Sequence, residues 1–231
     1  MDLKELENVN PWKHWYYLAK AQAILRLLSS DKANFKEVTD VGAGSTFFSQ
    51  YLSKHMPASN FICVDPNYSD PSQTISSQVT MLQQFNSRDS DLFLFMDVLE
   101  HVEGDLALLL EYTEKAKVGA KVVITVPAFL SLWSAHDVYL GHFRRYRKPD
   151  IEKLVTSAGL EIETSHYLFS SLLPVVYFLR RLGYRKNSGS NMTELPRSVN
   201  SVLFRIHQFE HRYIRNPLFG LSVVLVANKL E

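Results

Sequence analysis

The sequence predicts an α/β, doubly wound fold: a mostly parallel, seven-stranded sheet with helices on both faces and a helical insertion before the last strand. Three observations predict it. Short β-branched or apolar runs alternate with stretches of helical spacing, the pattern of strand, crossover helix, strand. The run Leu92-Phe93-Leu94-Phe95-Met96 is continuously apolar between Asp91 and Asp97, as in strands covered on both faces. Gly42-Ala43-Gly44 closes an earlier run at the point where helical spacing begins.

Taken in order, Trp12 to Leu28 places Trp15, Leu18, Ala19, Ile24, Leu25 and Leu28 at helical spacing, so a first amphipathic helix is expected there. Glu37 to Val41 is the first strand, and Phe47 to His55 a helix stopped by Pro57. Phe61 to Val64 is a second strand, closed by Asp65-Pro66-Asn67, and Val79 to Leu82 a weak third. After the fourth strand, Leu92 to Met96, a helix spans Leu106 to Ala116 and a fifth strand Lys121 to Val126. Pro149 to Ala158 carries proline near its start and Gly159 just past its end, the asymmetry of a capped helix. Leu160 to Tyr167 and Leu218 to Ala227 are strands six and seven, separated by an insertion over 170–215. That insertion holds helical stretches 171–184 and 197–214 and a polar loop, Lys186 to Thr193. One domain over 1–231 is expected, with an aromatic helix in residues 1–30.

At 231 residues and 46% apolar content, the chain can bury a full core, which excludes disorder. The single cysteine, Cys63, excludes an internal disulfide, and the aromatic, charged first thirty residues do not resemble a signal peptide, so a reducing, cytoplasmic location is expected. A net charge of +1 argues against a nucleic-acid-holding protein. Its distribution is uneven: Ser165 to Glu231 holds nine Lys or Arg against three Asp or Glu, leaving −5 for residues 1–164. Arg180, Arg181, Arg185, Arg197, Arg205, Arg212 and Arg215 make this tail a basic amphipathic stretch, suited either to closing a pocket or to resting on anionic lipid. The longest apolar run, Leu172 to Leu179, is far short of the roughly 20 residues a spanning helix needs.

In an open parallel sheet, ligands sit beyond the carboxyl ends of the strands, where strand order reverses. Three expected strand ends carry a carboxylate there: Asp40 before Gly42-Ala43-Gly44, then Asp65, then Asp97. The glycines let a ligand approach the backbone, and the following helix offers free N–H groups. Asp65 lies 21 residues beyond Gly44, the offset at which a carboxylate grips ribose hydroxyls. Phe47 occupies the third-glycine place of the dinucleotide pattern, which weakens an NAD reading. Asp40 beside the glycine turn suits a cationic ligand, such as the sulfonium and ammonium of S-adenosylmethionine.

Asp40-Val41-Gly42-Ala43-Gly44, Asp65 and Asp97-Val98-Leu99-Glu100-His101-Val102 together resemble the successive motifs of class I S-adenosylmethionine-dependent methyltransferases, in the branch with a D-x-L-E-H signature. Trp133 to Asp137 and Gly141-His142-Phe143-Arg144-Arg145-Tyr146 resemble the segment after strand five in that branch, and His14-Trp15-Tyr16-Tyr17 its leading aromatic helix. The resemblance implies a Rossmann-like domain in which Gly42, Ala43 and Gly44 touch the methionine part of the cofactor and Asp65 holds the ribose. Leu82 and Gln83 would flank adenine, and Asp97 and Val98 would form the near wall. Thr46 stands in the last place of the family's three-glycine loop.

His101, His142 and Asp137 are the candidate proton-handling groups, while Arg144, Arg145 and Tyr146 are candidate acceptor contacts, the arginines suited to a carboxylate or phosphate. A salt-bridged corner built from the same arginines is the competing reading. Methyl transfer from sulfonium requires alignment more than acid chemistry, and no metal-ligand spacing is evident. The expected activity is methylation of a small-molecule or lipid-like acceptor; a non-catalytic adenosylmethionine-binding module and an NAD-dependent oxidoreductase are the alternatives. The sequence does not name the acceptor or the oligomeric state.

Overall fold

The structure is a computed structural model and describes residues 9–32, 34–85, 89–182, 194–214, 216 and 218–230. The polar loop Lys186 to Thr193, the expected helix end at 183–184, and Arg185 and Arg215 lie outside the described residues, as do the side chains of Arg180 and Arg181.

The elements along the chain are α1 (Trp15–Leu27), β1 (Glu37–Val41), α2 (Phe47–Ser53), β2 (Asn60–Val64), β3 (Ser72–Ser76), β4 (Val79–Leu82), β5 (Leu92–Met96), α3 (Asp105–Thr113), β6 (Lys121–Pro127), α4 (Ala135–Leu140), α5 (Lys148–Ser157), β7 (Leu160–Leu168), α6 (Leu173–Arg181), α7 (Arg197–Tyr213) and β8 (Ser222–Lys229). All eight strands form one sheet in the order β3-β4-β2-β1-β5-β6-β8-β7. The pairs β1/β2, β1/β5, β2/β4 and β5/β6 are parallel, whereas β3/β4, β6/β8 and β7/β8 are antiparallel.

The seven-stranded expectation is therefore corrected to a mixed sheet of eight strands. The added strand, β3, is Ser-Gln-Thr-Ile-Ser with every residue exposed, a hairpin edge that buries no face and so leaves no hydrophobic period to read. Helix α4 is also absent from the expectation. It has six residues and is set by its ends, with Ser134 and Asp137 forming a capping box and Gly141 closing it at φ +78°.

Strand β5 shows why helices must cover both faces. Leu92, Leu94 and Met96 enter one core with Tyr17 and Ile24 of α1 and Phe47 and Leu52 of α2. Phe93 and Phe95 enter another with Leu109 of α3 and Ile151 and Val155 of α5. Side chains alternate across a strand, so a run apolar at every position has to be sandwiched. Each such buried side chain contributes about 1.5–3 kcal/mol relative to exposure. A third cluster joins Ala19 and Ala23 of α1 to Leu168, Phe169 and Val224.

The first helix starts where His14 accepts a hydrogen bond from the Tyr16 amide at 3.4 Å, and its inner stripe continues through Tyr17, Lys20, Ala21 and Ile24. It is fastened to α7: the Trp15 amide donates to Asn200 Oδ1 at 3.1 Å, and Arg26 donates to the Gln208 carbonyl at 2.8 Å.

Candidate active site

β1, β2, β4 and β5 run parallel, so their carboxyl ends meet on one edge, and β1 is the strand from which the order departs in both directions. The turn after β1 bends sharply, with φ of +63° at Gly42 and +50° at Gly44. At Gly42 an added Cβ would stand 2.8 Å from both Val98 methyl carbons, so only glycine lets the turn pack against the segment after β5. Thr46 takes φ +61°, a left-handed conformation that glycine adopts without penalty and a β-branched residue does not.

Asp65 and the glycine turn meet directly. Asp65 Oδ2 accepts the Gly44 amide at 3.1 Å, and Oδ1 accepts the amide and side chain of Asn67 at 2.9 and 3.0 Å. The Asp65 amide in turn donates to the Leu82 carbonyl at 3.1 Å, and Gln83 Nε2 donates to the Tyr68 carbonyl at 2.7 Å. Gly44, Asp65, Leu82 and Gln83 therefore lie side by side at the ends of three neighbouring strands.

Asp40 sits beneath this turn with only 1% of its surface exposed. Ser49 of α2 donates to Oδ2 at 2.7 Å, but Oδ1 is buried without a partner. Burial, reinforced by the Asp65 charge, pushes the Asp40 carboxyl up to about 6, against the pull of Ser49. An unpartnered acceptor on an acid under a glycine turn has an unmet demand for a cationic or donor group.

The wall beyond β5 contains a residue that sequence reading misses. Lys20 of α1 is fully buried and donates to Asp97 Oδ2, while Thr125 donates to Oδ1 at 3.1 Å. The ammonium also lies 4.7 Å from the centre of the Tyr16 ring. Burial opposes both charges, yet each partner overrides it: the Lys20 pKa is raised and that of Asp97 lowered. The signal in the sequence is position, since Lys20 falls three residues after Tyr17 and four before Ile24, on the buried stripe.

Next along the chain, Glu100 is buried with Oε2 unpartnered, and burial together with the nearby Asp97 charge holds its carboxyl well above the usual range. His101 packs edge-on against His142, ring centres 4.6 Å apart. Among the described residues, donor atoms of Glu100, His101 and His142 come within 4.8 Å of one another, close enough for a shared ion.

His142 is oriented from behind: its Nδ1 lies 3.0 Å from Asp137 Oδ1. The same carboxylate accepts the Ser134 amide and hydroxyl at 2.8 and 3.1 Å and Arg145 Nε at 2.6 Å. Burial resists ionisation of Asp137, but these donors drive its pKa far below the ordinary carboxylate value. Asp137 thereby ties His142 and Arg145 together through a single oxygen, Oδ1.

The expected acceptor-binding arginines are engaged within the protein. Arg144 donates to Asp105 Oδ2 at 3.0 Å and to the carbonyls of Val102 and Glu103, and Arg145 also reaches the Ala128 carbonyl at 3.0 Å. Tyr146 is buried and donates to Asp105 and the Leu99 carbonyl. Through these contacts the segment 142–146 straps the loop after α4 to residues 99–105.

A family model of the methyltransferase domain matches residues 12–165, two thirds of the chain and every element just described up to β7. The chain belongs to the methyltransferase domain family. It is an enzyme of that kind, and its cofactor is S-adenosylmethionine. Searched against curated proteins, the sequence has no significant match. Among solved structures, this methyltransferase is similar to an S-adenosylmethionine-dependent methyltransferase from Archaeoglobus fulgidus, with TM-score 0.58 at 16% identity, over 91% of this chain and 93% of that one. An O-methyltransferase family protein from Burkholderia thailandensis gives TM-score 0.57 at 10% identity, over 94% and 58% of the two chains. Human N-acetylserotonin methyltransferase, in complex with S-adenosylmethionine, gives 0.52 at 10% identity, over 94% and 55%. At these identities the likeness is one of fold.

The residues present fit that cofactor on their own geometry. Asp65 stands at the glycine turn, and an unpartnered acid oxygen lies below it.

Proposed function

We propose that this methyltransferase acts on a small-molecule or lipid-like acceptor through a site built from the β1, β2, β4 and β5 ends. Asp65 accepts hydrogen bonds from the ribose hydroxyls. The Gly42-Ala43-Gly44 backbone borders the methionine portion, with Asp40 Oδ1 facing its positive charge. Leu82 and Gln83 flank the adenine, and Asp97 and Val98 form the near wall. When bound, S-adenosylmethionine supplies a methyl group on cationic sulfur, ready for in-line displacement.

The remaining task of the chain is to align the nucleophile and remove its proton. Ionised Asp137 accepts from Nδ1–H of His142, which leaves Nε2 as the basic nitrogen. His142, with His101 beside it, receives the proton of a hydroxyl acceptor. Asp137 and Arg145 hold the imidazole in place and take no proton themselves. The single observation that supports this reading is the 3.1 Å contact between Asp65 Oδ2 and the Gly44 amide, which brings the carboxylate after β2 against the glycine turn after β1.

Transfer of labelled methyl from S-adenosylmethionine to a panel of hydroxylated metabolites and lipids tests it. His142→Ala is expected to lower kcat by about 10²-fold or more, the usual worth of a general base, while cofactor affinity stays level. Cofactor binding with no turnover on any acceptor would favour the non-catalytic binding module instead.

A further inference from the structure

The face of α7 that points away from the body is apolar. Val199, Val202, Ile206, Phe209 and Tyr213 recur at alternating three- and four-residue steps and are all exposed, Phe209 by 62%. The opposite face is anchored: His207 stacks on Trp15 at 5.0 Å, and Glu210 accepts the Ser170 amide at 2.5 Å and the Ser171 hydroxyl at 2.6 Å. The orientation of the stripe is thereby fixed by buried polar contacts. Along α6 and one residue past its end, Val175, Phe178 and Leu182 are exposed at steps of three and four, and after α7 Ile214, Leu218 and Phe219 are exposed as well.

The charge beside this surface has one sign. Arg205 and Arg212, seven residues apart, lie along one flank of the stripe, and Arg197 is exposed at its start. Among the described residues of α6 and α7, the only acid is Glu210, which is buried; Glu194 is exposed ahead of α7. Two copies packed on this face would oppose arginines with no exposed helix carboxylate to pair them. Anionic lipid headgroups would pair them while accepting the apolar side chains below. We propose that α6 and α7 dock the protein peripherally on an anionic bilayer. No helix among the described residues is long and apolar enough to cross one.

The docked face is coupled to the site. α7 packs against α1, which carries Lys20 to Asp97 at the carboxyl edge of the sheet. A membrane-seated α7 therefore holds α1 and the site beside the lipid surface, a consequence that rests on the proposed function and favours a lipid-like acceptor.

Flotation of the purified full chain with vesicles of phosphatidylcholine alone or mixed with phosphatidylglycerol tests the docking. Partition is expected to be about a hundredfold stronger on the anionic vesicles, three arginines each strengthening it about fivefold, and to fall with added salt. Phe209→Ser and the pair Arg205→Glu with Arg212→Glu should each abolish most of it while calorimetric affinity for S-adenosylmethionine is unchanged, since these side chains are exposed on α7 and the proposed cofactor contacts come from the β1, β2, β4 and β5 ends. No flotation, or equal flotation on both vesicle types, would overturn the proposal. So would a dimer in light scattering that Phe209→Ser dissociates, because the stripe would then belong to a second copy. Loss of cofactor affinity in the wild type, by contrast, would count against the functional reading and leave the docking result standing.

Discussion

Asp40 and Asp65 lie close together at the carboxyl edge of the sheet, in the proposed cofactor site, and each makes a measurable demand. Asp40 is pushed up to about 6 by burial, above the ordinary 3.8. For a raised carboxyl the stability contribution is complete below the unfolded value and is lost as pH rises through the folded one. The cofactor-free protein should therefore lose about 3 kcal/mol between roughly pH 4 and pH 7 from this group alone. Asp40→Asn should flatten that slope in chemical denaturation at pH 4.5 and 7.5, and an unchanged slope would show that Asp40 is not the cause. The cost is recovered when a cation binds, so affinity for S-adenosylmethionine should rise over the same window. Asp65→Ala should weaken that affinity by roughly 1.5–3 kcal/mol, the worth of hydrogen bonds to a charged acceptor. Gly42→Ala combines positive φ with overlap on Val98 and should cost about 2–5 kcal/mol in urea denaturation. Adding Val98→Ala should return the overlap part and leave the backbone part.

At the level of elements, the Lys20–Asp97 pair pins α1 to the end of β5 across 77 residues of chain. Lys20→Met removes the ion-pair partner of the half-buried Asp97 carboxylate, which keeps Thr125 as a donor, and should destabilise by about 1–3 kcal/mol. Lys20→Met with Asp97→Asn should cost less than the sum of the two single changes, and strict additivity would mean that the pair does not couple. This pair also shows where sequence reading stops. The β1 turn was legible because glycine and aspartate chemistry is local and its ligand geometry follows from a short spacing. The helix period was equally legible in α1, but a lysine on the inner stripe is read as a snorkelling surface residue until its distant partner is known. Strand β3 was illegible for the converse reason: a fully exposed edge hairpin is specified by backbone pairing with β4 and by no pattern of its own. The arginines of the 142–146 corner were visible as donors, yet only the fold decided that Asp105, Asp137 and main-chain carbonyls accept from them.

For the molecule as a whole, the two cores on either side of β5 carry the scaffold, and the cofactor edge is strung across strands from its centre. Cofactor binding at the proposed site would tie β1, β2, β4 and β5 together, so the native state should be stabilised by mass action. At a hundredfold excess over Kd, S-adenosylmethionine should add about 2.7 kcal/mol, raising Tm by roughly 5–10 °C for a chain of this size. The separation of charge is also a whole-molecule property, since the +6 of the last 67 residues is partly displayed on α7 while the cofactor edge is lined by acids. The most direct measurement of the central claim is isothermal titration of the wild-type chain and Asp65→Ala with S-adenosylmethionine and, separately, with NAD. One site of micromolar affinity for S-adenosylmethionine, weakened in the variant and indifferent to NAD, is the predicted result. Binding of NAD in place of S-adenosylmethionine, or equal affinity in both proteins, would contradict the account.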